Sequence, residues 1–401
     1  MSAGRPLVRR IGMGLVGPGF VGMHHIDAVR RLGFVDVVAI ADIDEAVARR
    51  KADALGVEKA YGSFDALAAD PDVEVIHNTT PNHLHGPVIM AALAHRKHII
   101  SEKPLASTAA EAHELWRAAE RAGVVHAVTF NYRGNPLVQQ ARAMIAGGEI
   151  GAVHYVQGAY LQDWLLKPTD YSWRLEADQG GASSAFADIG SHWCDLAQHL
   201  LAQPIVEVLA DLTTVVPTRF RPAASTEAFA RSAGDRGEPF AVKSEDLATI
   251  LVRFASGAKG CATIGQVCAG HKNDLWLEAS GATASLRWAQ ERQNELWVGR
   301  RDSPNAVVPK DPSLLAPEAR SYAHLPAGHQ EGWSDAFRNV IADIYAHVID
   351  QRTPASAGRA ALATFEDGYR VARLVDAVLE SHARGGVWTK VQADTLAGQT
   401  R

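Results

Sequence analysis

Residues 11–22 of the chain read IGMGLVGPGFVG. The run Ile11–Val16 is apolar and predicts a short buried strand. Three glycines at the spacing GxGxxG follow it at once, and a helical pattern covers His24–Leu32. In a strand–turn–helix setting such glycines permit a tight turn, close approach of the backbone to a pyrophosphate, and close helix–strand packing. The stretch therefore predicts a dinucleotide-binding α/β domain.

The second strand carries an acidic residue at its end. Val37–Ala41 is apolar, and Asp42 follows it twenty residues after Gly22. A carboxylate there can accept from both ribose hydroxyls of a dinucleotide, and it repels a 2′-phosphate. The next residues, Ile43 and Asp44, offer no cation that could hold such a phosphate. The pattern predicts NAD as the cofactor and makes NADP the weaker alternative.

Strands and helices go on alternating to about residue 130, with further strands predicted at 73–77, 98–100 and 124–129. This alternation indicates a doubly wound parallel sheet, whose polar clusters at the carboxyl ends of strands converge on one crevice. We expect residues 1–130 to form the dinucleotide-binding domain. The expected cofactor contacts are Gly17, Gly19, Phe20, Val21, Gly22, Asp42, Thr80, Pro81, Asn82, His85, Glu102, Lys103 and Asn131.

Lys103 occupies one of these strand ends, in the sequence Glu102-Lys103-Pro104. Proline lacks a backbone donor and pushes the preceding residue out of the helical region. Lys103 is therefore expected in extended geometry at a position where ligands bind in open α/β sheets. The competing interpretation is an ordinary solvated loop lysine.

The pattern changes after residue 130. Val153–Leu161 alternates like a strand, and six further strand-like segments lie between residues 206 and 299, joined by turns that contain glycine. They predict a large, mostly antiparallel sheet, open on one face. Residues 219–238 are polar and predict a mobile loop. We expect 131–401 to form an α+β domain for substrate binding and oligomerisation.

One segment of that second half carries acid–base chemistry. Asp188 and His192 are four residues apart and share a helix face. The helix is expected to start near Asp188, where its dipole disfavours a protonated imidazole, so His192 should be neutral near pH 7. Asp188 could orient His192 or pair with Lys103. The plainer alternative is an N-cap aspartate and a core histidine.

Oxidation of an alcohol by a nicotinamide cofactor needs a base and a cation near one oxygen, because the O–H loses a proton while the C–H gives up hydride. His192 and Lys103 form such a pair. No tyrosine is followed by lysine at the fourth position, no HExxH occurs, and the three cysteines are scattered. These absences argue against a short-chain dehydrogenase and against a metal site.

Composition narrows the class further. The chain has 401 residues, a net charge of −5 and 47% hydrophobic residues, which gives no indication of a nucleic-acid partner. No apolar run is long enough for a membrane span. The first ten residues hold no apolar segment typical of a signal, and the cysteines form no disulfide framework. We expect a cytoplasmic protein.

Four motifs in this order, GPGFVG at 17–22, TPNHLH at 80–85, EKPL at 102–105 and DIGSH at 188–192, resemble the Gfo/Idh/MocA oxidoreductase family. The resemblance implies a Rossmann domain and an α+β domain whose open sheet joins subunits into dimers or tetramers. It also implies Lys103, Asp188 and His192 as the catalytic set, with His192 as general base and Lys103 fixing the reacting hydroxyl.

A narrower resemblance links residues 160–164 and 171–174 to the levoglucosan dehydrogenase branch of that family, which suggests a pyranoside oxidised at ring C3. The alternative is a domain-contact or dimer-contact loop. The expected substrate contacts are Lys103, Arg133, Tyr160, Gln162, Trp164, Trp173, Arg174, Asp188, His192 and His329. Two other functions stay open: an NAD-dependent glycosidase that oxidises C3 transiently, and a non-catalytic cofactor or sugar sensor.

Overall fold

The computed structural model describes residues 9–222, 237–350 and 361–392. Its strands are β1 (Ile11–Val16), β2 (Val35–Ala41), β3 (Lys59–Tyr61), β4 (Val75–Asn78), β5 (His98–Ser101), β6 (His126–Val128), β7 (Val153–Leu161), β8 (Ile205–Thr213), β9 (Thr218–Arg221), β10 (Glu238–Ala241), β11 (Leu247–Phe254), β12 (Lys259–Gly265), β13 (Asp274–Gly281), β14 (Ala284–Ala289), β15 (Glu295–Arg300), β16 (Ala306–Pro309) and β17 (Thr389–Lys390). Its helices are α1 (Phe20–Leu32), α2 (Glu45–Leu55), α3 (Phe64–Ala69), α4 (His85–Ala94), α5 (Ala109–Ala122), α6 (Pro136–Ala146), α7 (Ala177–Gly180), α8 (Ser191–Leu201), α9 (Pro317–Arg320), α10 (Trp333–Asp350) and α11 (Phe365–Ala383).

The first sheet is parallel and has the strand order β3-β2-β1-β4-β5-β6. All six residues of β1 are buried, as expected for a central strand covered by helices on both faces. The order reverses between β1 and β4, so the carboxyl ends of these strands flank the crevice where a dinucleotide binds. The predicted doubly wound fold is confirmed. Of the six strands in this sheet, only β3 was not predicted, because three residues are too few to show a periodic pattern.

Polar residues fix where the helices of this half begin. Asp44, Ser63 and Thr108 each precede a helix, and each side chain accepts from a backbone N–H three residues on. Such caps satisfy donors that the first turn leaves without an intrahelical partner. They fix the residue at which each of these helices begins.

The second sheet has nine strands in the order β16-β15-β14-β13-β7-β12-β11-β8-β17. Its pairings are antiparallel except for β7 with β12. Alternate residues of β11 are buried, and the others, such as Leu251 with 41% exposure, face outward. One face packs on α6, α8 and α11 around Trp193, and the other is open. The predicted open, mostly antiparallel sheet is confirmed.

The prediction of a mobile loop over residues 219–238 is wrong at both ends. Thr218–Arg221 pairs with Glu238–Ala241 as a two-stranded antiparallel ribbon, and residues 223–236 lie outside the described part of the chain. Arg219 is fully buried and forms an ion pair of 3.3 Å with Asp246. This long-range pairing has no local signal in a polar sequence.

The C-terminal helices connect the two halves. Helix α10 lies within the range 131–401, yet its Phe337, Ile341 and Ile344 pack in the same core as Met13 of β1. The apolar face of α10 covers α1, the helix that follows the glycine turn. Helix α11 packs against both α5 and β8. The predicted division at residue 130 thus separates the sheets, while α10 packs with the first domain.

Candidate active site

The glycine turn shows the geometry that a dinucleotide needs. Gly17 has a φ of 83°, and a Cβ there would lie 2.9 Å from the carbonyl oxygen of Thr79. A Cβ on Gly22 would lie 2.9 Å from the oxygen of Gly17. By contrast, a Cβ on Gly19 would meet no described atom within 4 Å. Gly17 therefore makes the turn, Gly22 permits close packing, and Gly19 leaves its backbone open to a pyrophosphate.

Asp42 lies at the end of β2, as predicted, but it has a cationic neighbour. The ammonium of Lys51, on α2, is 3.1 Å from Oδ2 of Asp42 and 3.1 Å from the carbonyl oxygen of Pro18 in the glycine turn. The adjacent residues Ile43 and Asp44 offer no cation, as the sequence indicated, but Lys51 supplies one from α2. Lys51 lies nine residues after Asp42, and the helix brings it back over the strand end.

Hydrogen bonds from side chains of the TPNHLH segment to backbone carbonyl groups hold this segment in place. The ring of His85 is 1% exposed and lies between two carbonyl oxygens, 2.9 Å from that of Thr80 and 2.7 Å from that of Pro104. Burial lowers the pKa of His85. Asn82 donates to the carbonyl of Gly180 at 3.3 Å. These contacts place His85 and Asn82 as supports of the strand ends that carry Thr80 and Lys103.

Lys103 and Asp188 meet across the two halves of the chain. Nζ of Lys103 donates to Oδ1 of Asp188 at 2.7 Å and to its carbonyl oxygen at 2.6 Å. Arg174 approaches the same Oδ1 at 3.2 Å, and the amide of Gln266 donates to Oδ2 at 2.8 Å. The carboxylate is therefore held by two cations and one neutral donor. Gln266 was not predicted, because it follows β12 without any motif.

The charge state of Asp188 follows from these neighbours. Burial by itself would raise the pKa of its carboxyl, but the positive charges of Lys103 and Arg174 outweigh that effect. The net result holds the pKa of Asp188 far below its usual range. Asp188 is therefore ionised at every pH at which the enzyme would work, and it fixes the position of the Lys103 ammonium.

We predicted that the helix of His192 begins near Asp188, but it begins earlier. The backbone N–H of Asp188 already donates to the carbonyl oxygen of Ser184 at 2.8 Å. Glu245 caps the segment instead, and its Oε1 accepts from the N–H groups of Ser184 and Phe186 at 3.1 and 2.8 Å. A π-helical turn, Phe186–Gly190, follows and leads into α8. Such turns often mark functional sites. Glu245 comes from a distant loop, so no local pattern could reveal it.

His192 follows that turn in an aromatic pocket. Its ring is 8% exposed and stands edge-on to Tyr132 and Phe130, at centroid distances of 5.0 and 5.8 Å. Burial, and then the charge of Lys103, hold the pKa of His192 well below its usual value. Among the described residues neither ring nitrogen has a hydrogen-bond partner. His192 is thus neutral near pH 7, with a nitrogen available to accept a proton.

Tyr132 and Tyr160, whose rings lie beside His192, lead into a network of hydroxyl and amide groups. Tyr160 donates to Oδ1 of Asn273 at 2.6 Å, so the 2.7 Å contact between the two tyrosine hydroxyls has Tyr132 as its donor. Gln162 donates to the same Oδ1 at 3.1 Å and accepts from the indole of Trp164 at 2.8 Å. Burial raises the pKa of both tyrosines, so both are neutral. Asn273 is the shared acceptor of this network, although no sequence pattern singled it out.

The other predicted substrate contacts divide into two groups. Arg174 reaches Asp188, and its guanidinium stacks over Trp173 at 4.5 Å. Arg133 is buried instead in an ion pair with Asp195, and its remaining donors face Leu362 and Asp367. His329 is exposed, and its described hydrogen bond stays within its own loop, at Ala327. The structure does not bring Arg133 or His329 into the group around Lys103.

Two further observations concern the described part of the chain. No group of three or more histidine, cysteine, aspartate or glutamate side chains in the described ranges is arranged to hold a metal ion. No described helix is long and apolar enough to cross a membrane. The parallel sheet and the glycine turn are those of a dinucleotide-binding protein, and the second half of the chain adds Asp188 and His192 to Lys103 at a strand end.

Comparison with known proteins identifies the family. Residues 11–130 match a model described as an oxidoreductase family with an NAD-binding Rossmann fold, and residues 138–287 match the GFO/IDH/MocA C-terminal domain. The chain belongs to this family of NAD-dependent oxidoreductases. The resemblance inferred from the four sequence motifs and the predicted cofactor, NAD, are confirmed.

Similar proteins include sugar and polyol dehydrogenases. The chain is 30% identical to levoglucosan dehydrogenase of Pseudarthrobacter phenanthrenivorans over 395 residues, which cover 94% of this chain and 97% of that relative. A solved levoglucosan dehydrogenase in complex with NADH and levoglucosan superposes with a TM-score of 0.84 at 29% identity, covering 96% of this chain and 100% of that one. An inositol dehydrogenase homologue with NAD⁺ from Azotobacter vinelandii gives 0.84 at 26% identity, covering 97% and 100%.

Proposed function

We propose that this protein oxidises a secondary alcohol of a sugar, polyol or glycoside with NAD, using His192 as general base, Lys103 to fix the reacting oxygen and Asp188 to hold Lys103. The observation that carries the proposal is the contact of Lys103 with Asp188 beside a neutral, unpartnered His192. It joins the strand end of the cofactor domain to the helix of the second domain.

The residues fit the cofactor. The open backbone at Gly19, the positive φ of Gly17 and the carboxylate of Asp42 match the pyrophosphate and the adenosine ribose. When bound, NAD supplies the acceptor for the hydride that leaves the alcohol carbon. The protein's own groups deal with the other product, the hydroxyl proton.

The two basic side chains divide that task. His192 is neutral because it is buried near the positive charge of Lys103, so one of its nitrogens can take the proton from the alcohol. The ammonium of Lys103 stabilises the negative charge that develops on the alcohol oxygen. Asp188 prevents Lys103 from swinging away, because its carboxylate and carbonyl oxygens both accept from the ammonium.

The surroundings of His192 suit a polyhydroxylated ring. Tyr132, Tyr160 and Trp164 offer apolar faces to sugar C–H groups, while Gln162 and Asn273 offer hydrogen-bonding groups to hydroxyls. The names of the relatives, levoglucosan dehydrogenase and inositol dehydrogenase among them, support the same substrate class. They favour net oxidation over the glycosidase and sensor alternatives.

The test is the absorbance of NADH, followed with purified protein, NAD or NADP, and a panel of sugars, inositols, anhydrosugars and glycosides. We expect NADH to form with one substrate class and with NAD in preference to NADP. Silence across the panel, in a protein that still binds NAD in a thermal-shift assay, would contradict the proposal. Release of an aglycone without net NADH would establish the glycosidase instead.

The open face of the second sheet supports a further part of the proposal, a homodimer or homotetramer joined through this face. Large side chains such as Leu251 and Tyr155 are 41% and 37% exposed there. A broad, partly apolar sheet face of this kind is typical of an interface between copies. Light scattering of the wild type and of Leu251→Arg tests it: we expect an oligomer that the substitution weakens, and a monomeric wild type would contradict the assignment.

A further inference from the structure

Four side chains form a buried hydrogen-bonded chain behind the catalytic lysine. Oε1 of Glu102 is 3.1 Å from Nε2 of His25, Nδ1 of His25 is 2.8 Å from Nδ1 of His77, and Nε2 of His77 is 3.0 Å from the hydroxyl of Tyr345. His25, His77 and Tyr345 are all fully buried. None of these three has a role in the proposed hydride transfer, and buried polar groups are retained only when their hydrogen bonds are satisfied.

These hydrogen bonds connect α10, β4 and α1 to the strand end that carries Lys103, and the proposed catalysis needs these parts aligned. His25 lies on α1, which begins at the glycine turn, and His77 lies on β4. Tyr345 lies on α10. At the other end, Oε2 of Glu102 accepts from the backbone N–H of Lys103 at 3.3 Å. The cofactor helix is thereby connected to the backbone of the lysine that contacts Asp188.

The four hydrogen-bonded side chains can donate in only one direction, from Tyr345 towards Glu102, without leaving a buried group unpaired. Among the described residues Tyr345 has His77 as its one hydrogen-bond partner, so its O–H must donate to Nε2 of His77 or remain unsatisfied in the core. A neutral His77 then carries its proton on Nδ1 and donates to Nδ1 of His25. His25 in turn carries its proton on Nε2 and donates to Glu102, which accepts as a carboxylate.

The opposite direction fails at both ends. It would require a protonated Glu102 and would leave the Tyr345 proton without an acceptor. A doubly protonated His25 fails in the same way, because it would force His77 to donate to Tyr345. Burial lowers the pKa of His77 well below its usual value, which agrees with a neutral ring.

We propose that Tyr345, His77 and His25 are positioning residues: they hold Glu102 as an oriented carboxylate acceptor and thereby fix the backbone of Lys103 relative to the cofactor helix. Tyr345 sets the tautomer of both histidines from the far end of the chain. The kinetic part of this inference rests on the proposed function. The tautomers do not, since they are properties of the folded protein alone.

The tautomers are tested first, on the wild-type protein labelled with ¹⁵N-histidine. Long-range proton–nitrogen correlation spectra distinguish a protonated ring nitrogen from an unprotonated one, and His25→Gln and His77→Gln assign the two rings among the 17 histidines. We expect the proton of His77 on Nδ1 and that of His25 on Nε2. The reverse pattern at either ring, or a doubly protonated ring, would overturn the proposal without reference to activity.

The second test uses Tyr345→Phe, which removes the hydroxyl at nearly constant volume. The matched control is Tyr322→Phe, which removes another buried hydroxyl. This hydroxyl donates to Asp343 of the same helix α10 and does not belong to the hydrogen-bonded series from Tyr345 to Glu102. We expect Tyr345→Phe to lower kcat about tenfold, because small displacements of catalytic groups are costly, with NAD affinity changed less than about twofold. We expect Tyr322→Phe to leave kcat within about twofold at a similar loss of melting temperature.

The remaining outcomes are decisive. A Tyr345→Phe variant that is folded and keeps wild-type kcat and the same histidine tautomers would overturn the proposal. Equal losses of kcat in both variants would also overturn it, by showing that buried hydroxyls of α10 act through stability alone. If Tyr345→Phe does not fold, the spectra of the wild-type protein still decide. If no substrate is oxidised, the proposed function fails while the tautomer result stands independently.

Discussion

The Nζ atom of Lys103 lies 2.7 Å from Oδ1 and 2.6 Å from the carbonyl oxygen of Asp188, although the two residues come from different halves of the chain. Both groups are largely buried, with side-chain exposures of 12% and 13%. A buried ion pair is not by itself a source of stability, because desolvation costs about as much as the charges regain. The pair holds the ammonium in place, as the proposed role of Lys103 requires.

Replacement of Lys103 by methionine should abolish turnover. The change removes the cation at the reacting oxygen while keeping the length of the side chain, and we expect kcat to fall at least about a hundredfold. Thermal shift with NAD should stay close to that of the wild type. A variant that keeps more than about a tenth of wild-type kcat would remove Lys103 from the mechanism.

Replacement of Asp188 by asparagine should reduce both activity and stability, since two cations lose their buried counter-charge. We expect a loss of about 3 kcal/mol in the free energy of unfolding near neutral pH. The pKa of the Asp188 carboxyl is lowered in the folded state, so its contribution is fully present above its unfolded pKa of about 3.9 and disappears as the pH falls through the lower folded value. Urea unfolding at a series of pH values should therefore show wild type and variant converging in acid. A difference that is constant with pH would contradict this account.

The pH dependence of kcat/KM should reflect a histidine that is difficult to protonate. Burial, then the charge of Lys103, holds the pKa of His192 well below its usual value of about 6.5. Activity that needs neutral His192 is lost only when the pH falls through that lower folded pKa. We expect no acid limb with a midpoint at or above about 6.5 in kcat/KM for the sugar. The contrary result is an acid limb at or above that pH in kcat/KM with no matching change in NAD binding. It would show that His192 is not the base, or that burial does not lower its pKa.

Lys51 should decide what happens when Asp42 is changed. In Asp42→Ser the repulsion of a 2′-phosphate is gone and Lys51 is left to pair with it, so we expect kcat/KM for NADP to rise about tenfold. Adding Lys51→Met should remove most of that gain while leaving the use of NAD similar to that of Asp42→Ser. An NAD/NADP ratio that is unchanged by Asp42→Ser would count against the ribose assignment.

Asn273 should act on the sugar and not on the cofactor. Asn273→Ala leaves the hydroxyl of Tyr160 and the amide of Gln162 without their shared acceptor, and we expect KM for the sugar to rise about tenfold with little change in KM for NAD. The control is Asn305→Ala. Asn305 lies at an exposed turn, where its side-chain oxygen accepts from the backbone N–H of Arg300. Equal changes in both Michaelis constants would indicate a general loss of structure.

Local sequence rules predicted much of this protein because they operate over short distances. The GxGxxG turn predicted the dinucleotide fold, since only glycine tolerates the φ of Gly17 and the close packing at Gly22. Strand alternation predicted the open sheet. The motifs that carry Lys103, Asp188 and His192 identified the family, and the comparisons bear this out. The individual roles of these residues are predictions that await the kinetic tests above.

Other features depended on pairings between distant segments. Glu245, not Asp188, caps the helical segment that leads to His192, because a loop beside β11 folds back onto its first turn. Arg133 followed a predicted strand end, yet the deeper carboxylate of Asp195 takes its guanidinium. His329, four residues before α10, lies on an exposed loop and does not reach the group around Lys103.

The sequence by itself determined the glycine turn, the alternation of strands and helices, and the motifs that carry Lys103, Asp188 and His192, since each follows from steric and hydrogen-bonding preferences within a few residues. Only the tertiary structure decided that Lys51 pairs with Asp42, that Gln266 and Arg174 share Asp188 with Lys103, and that His25 and His77 connect Tyr345 to Glu102. These contacts depend on how helices from both halves pack over strand ends, and that packing is set by burial of apolar faces whose partners lie far apart in the chain.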